Sequence, residues 1–168
     1  APEKLALWKE GKESPFPGLR AFQAEDAPIY FGRGTETDQL MTQIHEKRFI
    51  AIVGASGSGK SSLVYAGLIP RLQDGIPEAE QWQILQMKPG AYKDGDSINP
   101  FGALYNAIMT AYPHIKPSDP LEQSQKRRGY SDEFTRNPYA LATICEDLSK
   151  RETLLIIDQF EDTFTLVS

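Results

Sequence analysis

The chain has 168 residues, 40% of them apolar and 24% charged, and a net charge of −5. These values fit one ordinary globular domain and exclude a global attraction to nucleic acid or to an anionic membrane. The single cysteine, Cys145, excludes an internal disulfide and suits a reducing cytoplasm; no apolar run approaches the roughly 20 residues that span a bilayer, and no signal peptide is visible.

Residues 1–14 are charged and read as a flexible arm, with one helical turn around Leu5 to Trp8. Pro15-Phe16-Pro17-Gly18-Leu19 is too rich in proline for regular structure. Ile29-Tyr30-Phe31-Gly32-Arg33 is an apolar approach to a glycine turn. Thr35 is expected to cap a helix to about Lys47, with Leu40, Met41 and Ile44 on its buried side.

Phe49 to Val53 is a short apolar run of the kind that forms a strand buried on both faces. Gly54-Ala55-Ser56-Gly57-Ser58-Gly59-Lys60-Ser61 follows with the spacing of a phosphate-binding loop. Glycines let such a backbone curl until its N–H groups form an anion nest, and the helix opening at Lys60 adds its positive end. Lys60 can then reach the β- and γ-phosphates, while the Ser61 hydroxyl can bind Mg²⁺. A plain Gly/Ser turn is the competing reading, and the glycine order excludes the dinucleotide fingerprint. We read this stretch as a loop that binds nucleotide phosphates.

The helix from Lys60 carries Leu63, Val64, Gly67 and Leu68, and Pro70 must kink it or open a new turn. Trp82 to Met87 reads as a second strand, bounded by Pro89-Gly90. Asn99-Pro100 caps a helix to about Tyr112, with Phe101, Leu104, Ile108 and Ala111 at helical spacing. From Pro113 to Arg136 the chain is polar and broken by Pro117 and Pro120. At most a short surface helix is expected there, around Leu121 to Arg128, with Lys126-Arg127-Arg128 as a solvated face. Asn137-Pro138 repeats the capping device before a helix bearing Leu141, Ile144, Cys145 and Leu148. Cys145 on that stripe reads as core rather than as a nucleophile. His45 and His114 have no companions at metal-ligand spacing.

Leu154 to Ile157 makes another buried strand, and Asp158 stands where it ends. Ligands of open parallel sheets sit beyond the carboxyl ends of the strands, so Asp158 is expected to face the crevice of Lys60 and Ser61 and to hold Mg²⁺. Glu161 is either the general base that points at the attacking water or a solvent-facing acid in the first turn of a helix.

Three separated stretches together resemble the novel-STAND NTPases, signal-transduction ATPases with numerous domains found in large bacterial multidomain proteins. Pro15 to Phe22, Glu25-Asp26-Ala27 and Tyr30-Phe31-Gly32-Arg33 are similar to that branch's opening signature. Gly59 to Pro70 and Asp158-Gln159-Phe160-Glu161-Asp162 are similar to its two core motifs, the Walker A and Walker B elements. The resemblance runs from about Pro15 to Phe164. It implies an α/β fold: a P-loop NTPase three-layer sandwich with a mainly parallel sheet, here truncated after the Walker B strand. On that reading residues 15–168 are the N-terminal part of the NTPase domain.

The resemblance also implies a cytoplasmic switch that binds ATP and Mg²⁺, hydrolyses ATP slowly, and controls a multidomain signalling or defence receptor. Its implied partners are the effector and sensor domains of the parent chain and further copies of itself when ATP is bound. No nucleic acid and no membrane are implied. Gly54 to Ser62 would hold the phosphates, and Phe31, Gly32 and Arg33 would lie against the adenine. Lys60 and Glu161 would be catalytic, and Ser61 and Asp158 would hold the metal. Gly34 stands where the family has an acid directly after the arginine, with Glu36 two residues later. The sheet order implied is 5-1-4-3-2, which keeps the Phe49–Val53 and Leu154–Ile157 strands apart and places the fourth strand after Ser168. A fragment so interrupted is not expected to be a self-sufficient monomer. Two alternatives stay open: a P-loop kinase acting on a small acceptor, and an interaction module that binds nucleotide without turnover.

Overall fold

The computed structural model describes Gly18, residues 20–74 and residues 82–161. Expectations for the arm 1–14, for positions 15–17 and 19, and for Asp162 onward lie outside these residues. The chain divides into two compact units, Ala1–Ala79 and Glu80–Ser168. Among the described residues no helix is long and apolar enough to cross a membrane.

In the first unit a 3-10 turn, Ala24–Ile29, precedes helix α1, Gly34–Glu46. Helix α1 starts one residue before Thr35, and its flanking residue Arg33 makes no side-chain cap, so the expected Thr35 cap does not form. Leu40 and Ile44 are buried as their spacing predicts, together with Thr37. Helix α2 is α-helical over Lys60–Ser62, π-helical over Leu63–Leu68 and α-helical again over Ile69–Asp74. The proline explains the widened turn. A Pro70 ring inside an α-helix would strike the carbonyl four residues back. In the widened turn the Ile69 N–H instead bonds to Val64 O. Tyr65 to Ile69 are buried without interruption, because this stretch is covered on all sides rather than along one stripe.

Phe49 to Val53 forms no strand. Phe49 is 83% exposed and Val53 90% exposed, so the expected strand buried on both faces is corrected. Apolar composition makes such a run fit for a sheet. Only a neighbour that takes its N–H and C=O groups makes it a strand.

The second unit is built on two parallel strands, β1 (Gln83–Met87) and β4 (Thr153–Ile157), paired in register from Gln83↔Thr153 to Met87↔Ile157. Strands β2 (Lys93–Asp94) and β3 (Ser97–Ile98) form a small antiparallel hairpin. Helices α3 (Pro100–Ala111), α4 (Pro120–Arg136) and α5 (Ala140–Leu148) complete the unit. The result is a mixed helix and strand fold with a small parallel sheet. The β1–β4 pairing is the adjacency of second and third strands that the resemblance implies. With one neighbouring strand among the described residues, Leu154 to Ile156 are half-buried and Ile157 is exposed, not buried on both faces as expected.

The core of this unit joins Leu85 and Met87 of β1 to Leu104, Tyr105, Ile108 and Tyr112 of the α3 segment, Phe134 of α4 and Cys145 of α5. Full burial of one such aliphatic side chain is worth about 1.5–3 kcal/mol. The Asn99-Pro100 cap forms as read, the Asn99 side chain accepting from Gly102 N at 3.0 Å. Burial pushes the Cys145 thiol up from its ordinary value, which suits a core residue rather than a nucleophile.

Helix α4 is the main correction to the chain reading. It runs 17 residues instead of a short turn. Pro120 is its first residue rather than a break, and Asp119 accepts from Leu121 N at 2.8 Å and Glu122 N at 2.9 Å. Two of its three clustered cations, Lys126 and Arg127, are half-buried against protein partners rather than fully solvated. Lys126 donates to Ile115 O at 2.7 Å, and the Arg127 guanidinium lies 4.7 Å from the Tyr92 ring centre. The Asn137-Pro138 cap does not form as expected. Asn137 closes α4 and accepts from Tyr139 N, and α5 begins at Ala140. Replacing Asp119 by alanine is expected to cost about 1 kcal/mol. The check is the urea midpoint of the full chain at unchanged slope.

Candidate functional site

The glycine loop of the first unit has the backbone its spacing demands. Gly57 and Gly59 take φ of 75° and 85°, the left-handed region that a Cβ penalises by about 1–2 kcal/mol. Gly59 in that conformation precedes Lys60, where α2 opens, and Leu63 N bonds back to Gly59 O at 2.9 Å. The Lys60 ammonium donates to Gly54 O at 2.9 Å and Ala55 O at 3.0 Å, so it lies over the loop's own carbonyls. A cation held there is placed to meet an anion that enters the nest. Gly54 to Ser58 are exposed, while Lys60 and Ser61 are half-buried.

Arg33 ties the preceding turn to this loop. Its guanidinium donates to Ser58 O at 3.2 Å and pairs with Glu36 at 3.4 Å. Glu36 therefore partners the arginine even though Gly34 fills the adjoining position. Phe31 and Gly32 lie in the same turn, exposed, with Gly32 at φ 86°. Behind the loop, Thr37 donates to Arg33 O at 2.7 Å. Helix α2 approaches this residue so closely that a Cβ on Gly67 would lie 2.8 Å from Thr37 Oγ1. The second serine after the lysine faces away from the loop. Ser62 is buried, and its hydroxyl accepts from Phe22 N at 3.1 Å.

In the second unit the acidic stretch begins one step past the ladder. Asp158 N donates to Met87 O at 2.9 Å, which fixes its backbone beside β1. Its side chain, 16% exposed, pairs with Lys88 at 3.3 Å. Gln159 has φ 58°, an uncommon conformation for a residue with a Cβ, and turns the chain there. Glu161 is exposed and sits in a turn rather than in a helix. Chemically this end offers a largely buried carboxylate already facing a cation, with a second carboxylate three residues later.

The structure thus brings Phe31, Gly32, Arg33 and Gly54 to Ser61 into one stretch of the first unit, and Asp158 and Glu161 into one turn of the second. Two participants escaped the chain reading. Asp26 is a fully buried carboxylate whose partners are Arg20 and the Gln23 amide. Lys88 faces Asp158. The signal for the second was available: each residue is the first after a five-residue strand, so a parallel pairing in register sets them opposite one another.

Over residues 15–168 the chain matches the family described as Novel STAND NTPase 1. A phosphate import ATP-binding protein, PstB 2 of Shouchella clausii (strain KSM-K16), is 39% identical over 57 residues, which is 34% of this chain and 20% of that protein. The chain therefore matches only a fifth of that relative's length. No solved structure matches the chain.

Proposed function

The chain belongs to the Novel STAND NTPase 1 family, and from that premise we propose that it is the ATP- and Mg²⁺-binding part of a slowly hydrolysing molecular switch. The observation that carries the reading is the loop: left-handed Gly57 and Gly59, with Lys60 over the carbonyls at the mouth of α2. The similarity to an ATP-binding import protein over 57 residues points the same way. The remainder of the three-layer sandwich, a cytoplasmic location, self-association in the ATP form and coupling to effector and sensor domains belong to the same proposal.

Each residue then has a task. Lys60 binds the β- and γ-phosphate oxygens, and the loop amides hold the rest of the phosphate chain. Arg33 keys the turn of Phe31 and Gly32 to the loop through Ser58, so the base-side turn and the phosphate loop move together. The Ser61 hydroxyl of the loop is a donor for Mg²⁺, which when bound would neutralise charge on the transferring phosphoryl group; in the second unit the Asp158 carboxylate is likewise a donor for a divalent cation. The donor chemistry fits. Both are hard oxygens, and among the described residues no cluster of three or more His, Cys, Asp or Glu could hold a metal unaided. That suits an ion whose other ligands are phosphate and water. Glu161 accepts the proton of the attacking water.

Replacing Glu161 by glutamine keeps the shape but removes the proton acceptor. ATP binding is expected to persist while phosphate release slows about 10²- to 10⁴-fold. Release at the wild-type rate would make Glu161 a surface acid. A P-loop kinase remains the second reading, and appearance of a phosphorylated acceptor instead of free phosphate would select it.

A further inference from the structure

We propose that Arg127, held on the Tyr92 ring in the second unit, is a docking point for an oxyanion, a phosphate or carboxylate group whose two oxygens its guanidinium grips. Nothing in this inference depends on the nucleotide reading, and every residue it uses lies in one unit.

The arginine is placed by packing. On α4, Arg127, Tyr130, Ser131 and Phe134 share a face, because residues three and four apart are neighbours. Tyr92, at the base of the hairpin, is fixed by its carbonyl, which accepts from Asn99 N at 3.0 Å. Its ring lies on the first turn of α3, where a Cβ on Gly102 would come within 2.1 Å of it. Only glycine lets the ring settle so close. The Arg127 guanidinium carbon stands 4.7 Å from the Tyr92 ring centre and 5.8 Å from that of Tyr105. Tyr105 in turn meets Tyr130 edge to face, with ring centres 5.4 Å apart.

What the cluster lacks is an acceptor. Among the described residues no carboxylate pairs with Arg127. Its Nε is buried without a hydrogen-bond partner, and so are the Tyr105 and Ser131 hydroxyls. Tyr105 is 2% exposed, and burial pushes its phenol up from the ordinary value, so it stays a neutral donor. A buried donor left unpaired costs about 1–3 kcal/mol. Three such donors, two of them one turn apart on α4, call for a group that only accepts. Arg127 is half-buried and of its nitrogens only Nε is enclosed, so the Nη edge is open to an incoming anion. Lys126 adds a second positive charge, pinned on Ile115 O at 2.7 Å. The opposing charge of Glu122 acts on Tyr105 more weakly than that of Arg127 does. A planar fork stacked on a ring keeps its N–H donors aligned, which suits two oxygens of one group better than a monatomic ion.

The test uses the full chain carrying Lys60→Ala, so that the glycine loop of the first unit lacks its cation. The Arg127 Nε–Hε resonance and the Tyr92 and Ser131 amides are followed by NMR. Sodium phosphate, sodium acetate or, at matched ionic strength, sodium chloride is added. Phosphate or acetate is expected to move these signals saturably, and chloride is expected not to. The salt that saturates tells which oxyanion the site takes. Arg127→Lys keeps the charge but loses the fork, and the two amides should then report binding about tenfold weaker. Arg127→Gln should show no saturable shift. Equal shifts with chloride and with the oxyanions would mean charge screening and overturn the proposal. So would a lack of saturation with both oxyanions, or an unchanged affinity in Arg127→Lys. Should the glutamine variant fold poorly, the lysine variant decides alone. Because Lys60 is absent throughout, failure here leaves the nucleotide reading untouched, and failure of that reading leaves this inference standing.

Discussion

Lys60→Ala is expected to abolish the stabilisation of the chain by ATP and by ADP. In the wild type, nucleotide at 100 times its dissociation constant should add about 2.7 kcal/mol, a rise of roughly 5–11 °C in melting temperature for a chain of this size. The alanine variant should show no rise. Lys60 is the cation that the loop carries, and its ammonium already lies on Gly54 O and Ala55 O, where the phosphates would draw it. Alanine keeps the left-handed Gly57 and Gly59 and the opening of α2, so the amide nest survives without its point charge. The variant alone should therefore melt within about 1 kcal/mol of wild type, because the two bonds it loses are near the surface. Equal nucleotide shifts in the two proteins would remove Lys60 from the site.

Asp26→Ala is expected to be the most destabilising single change in the first unit, by about 3–5 kcal/mol. The Asp26 carboxylate has no exposed surface. Arg20 reaches both oxygens, at 2.5 and 3.1 Å, and Gln23 N donates to it at 2.8 Å. Alanine leaves the Gln23 amide without its acceptor and opens a gap beneath the 3-10 turn of Ala24–Ile29. Arg20 is half-exposed and can recover water, which holds the loss toward the lower end of the range. Asp26→Asn keeps one acceptor oxygen and should lose less. Urea unfolding of the full chain measures both. A midpoint for Asp26→Ala within 0.5 kcal/mol of wild type would show the pair to be decorative. Phe22, next to the Gln23 that Asp26 holds, donates its amide to Ser62, so Asp26→Ala should also weaken nucleotide binding through the position of α2.

Much of the candidate site was legible in the chain because its determinants are local. A glycine, four intervening residues and then Gly59-Lys60-Ser61 specify a loop conformation that few other residues can adopt. Asn99 before Pro100 specifies a helix start for the same kind of reason. The device at Asp119-Pro120 is the same one, and reading Pro120 as a break cost the prediction most of α4. The error has a clear cause: proline stops a helix from within and starts one from its first position. At Asn137-Pro138 the identical pair does something else, since Asn137 already closes α4 through Glu133 and spends its oxygen on Tyr139.

What the sequence by itself determined is the chemistry of short stretches: an anion-binding loop ending in a lysine, acids after an apolar strand, caps at helix starts. Each depends on residues within about four positions of one another, where sterics and short hydrogen bonds act directly. Tertiary structure alone decided which of these stretches found partners. Phe49 to Val53 has strand composition and takes no strand, because pairing belongs to the neighbour and not to the run. Ser62 reads as part of the phosphate motif, yet its hydroxyl meets an amide 40 residues earlier in the chain. Arg127 reads as a surface cation and lies over Tyr92. Lys88 becomes the partner of Asp158 only once β1 and β4 are parallel and in register. Such contacts join residues far apart in sequence, and closing those loops is decided by the burial of the whole unit rather than by any local preference.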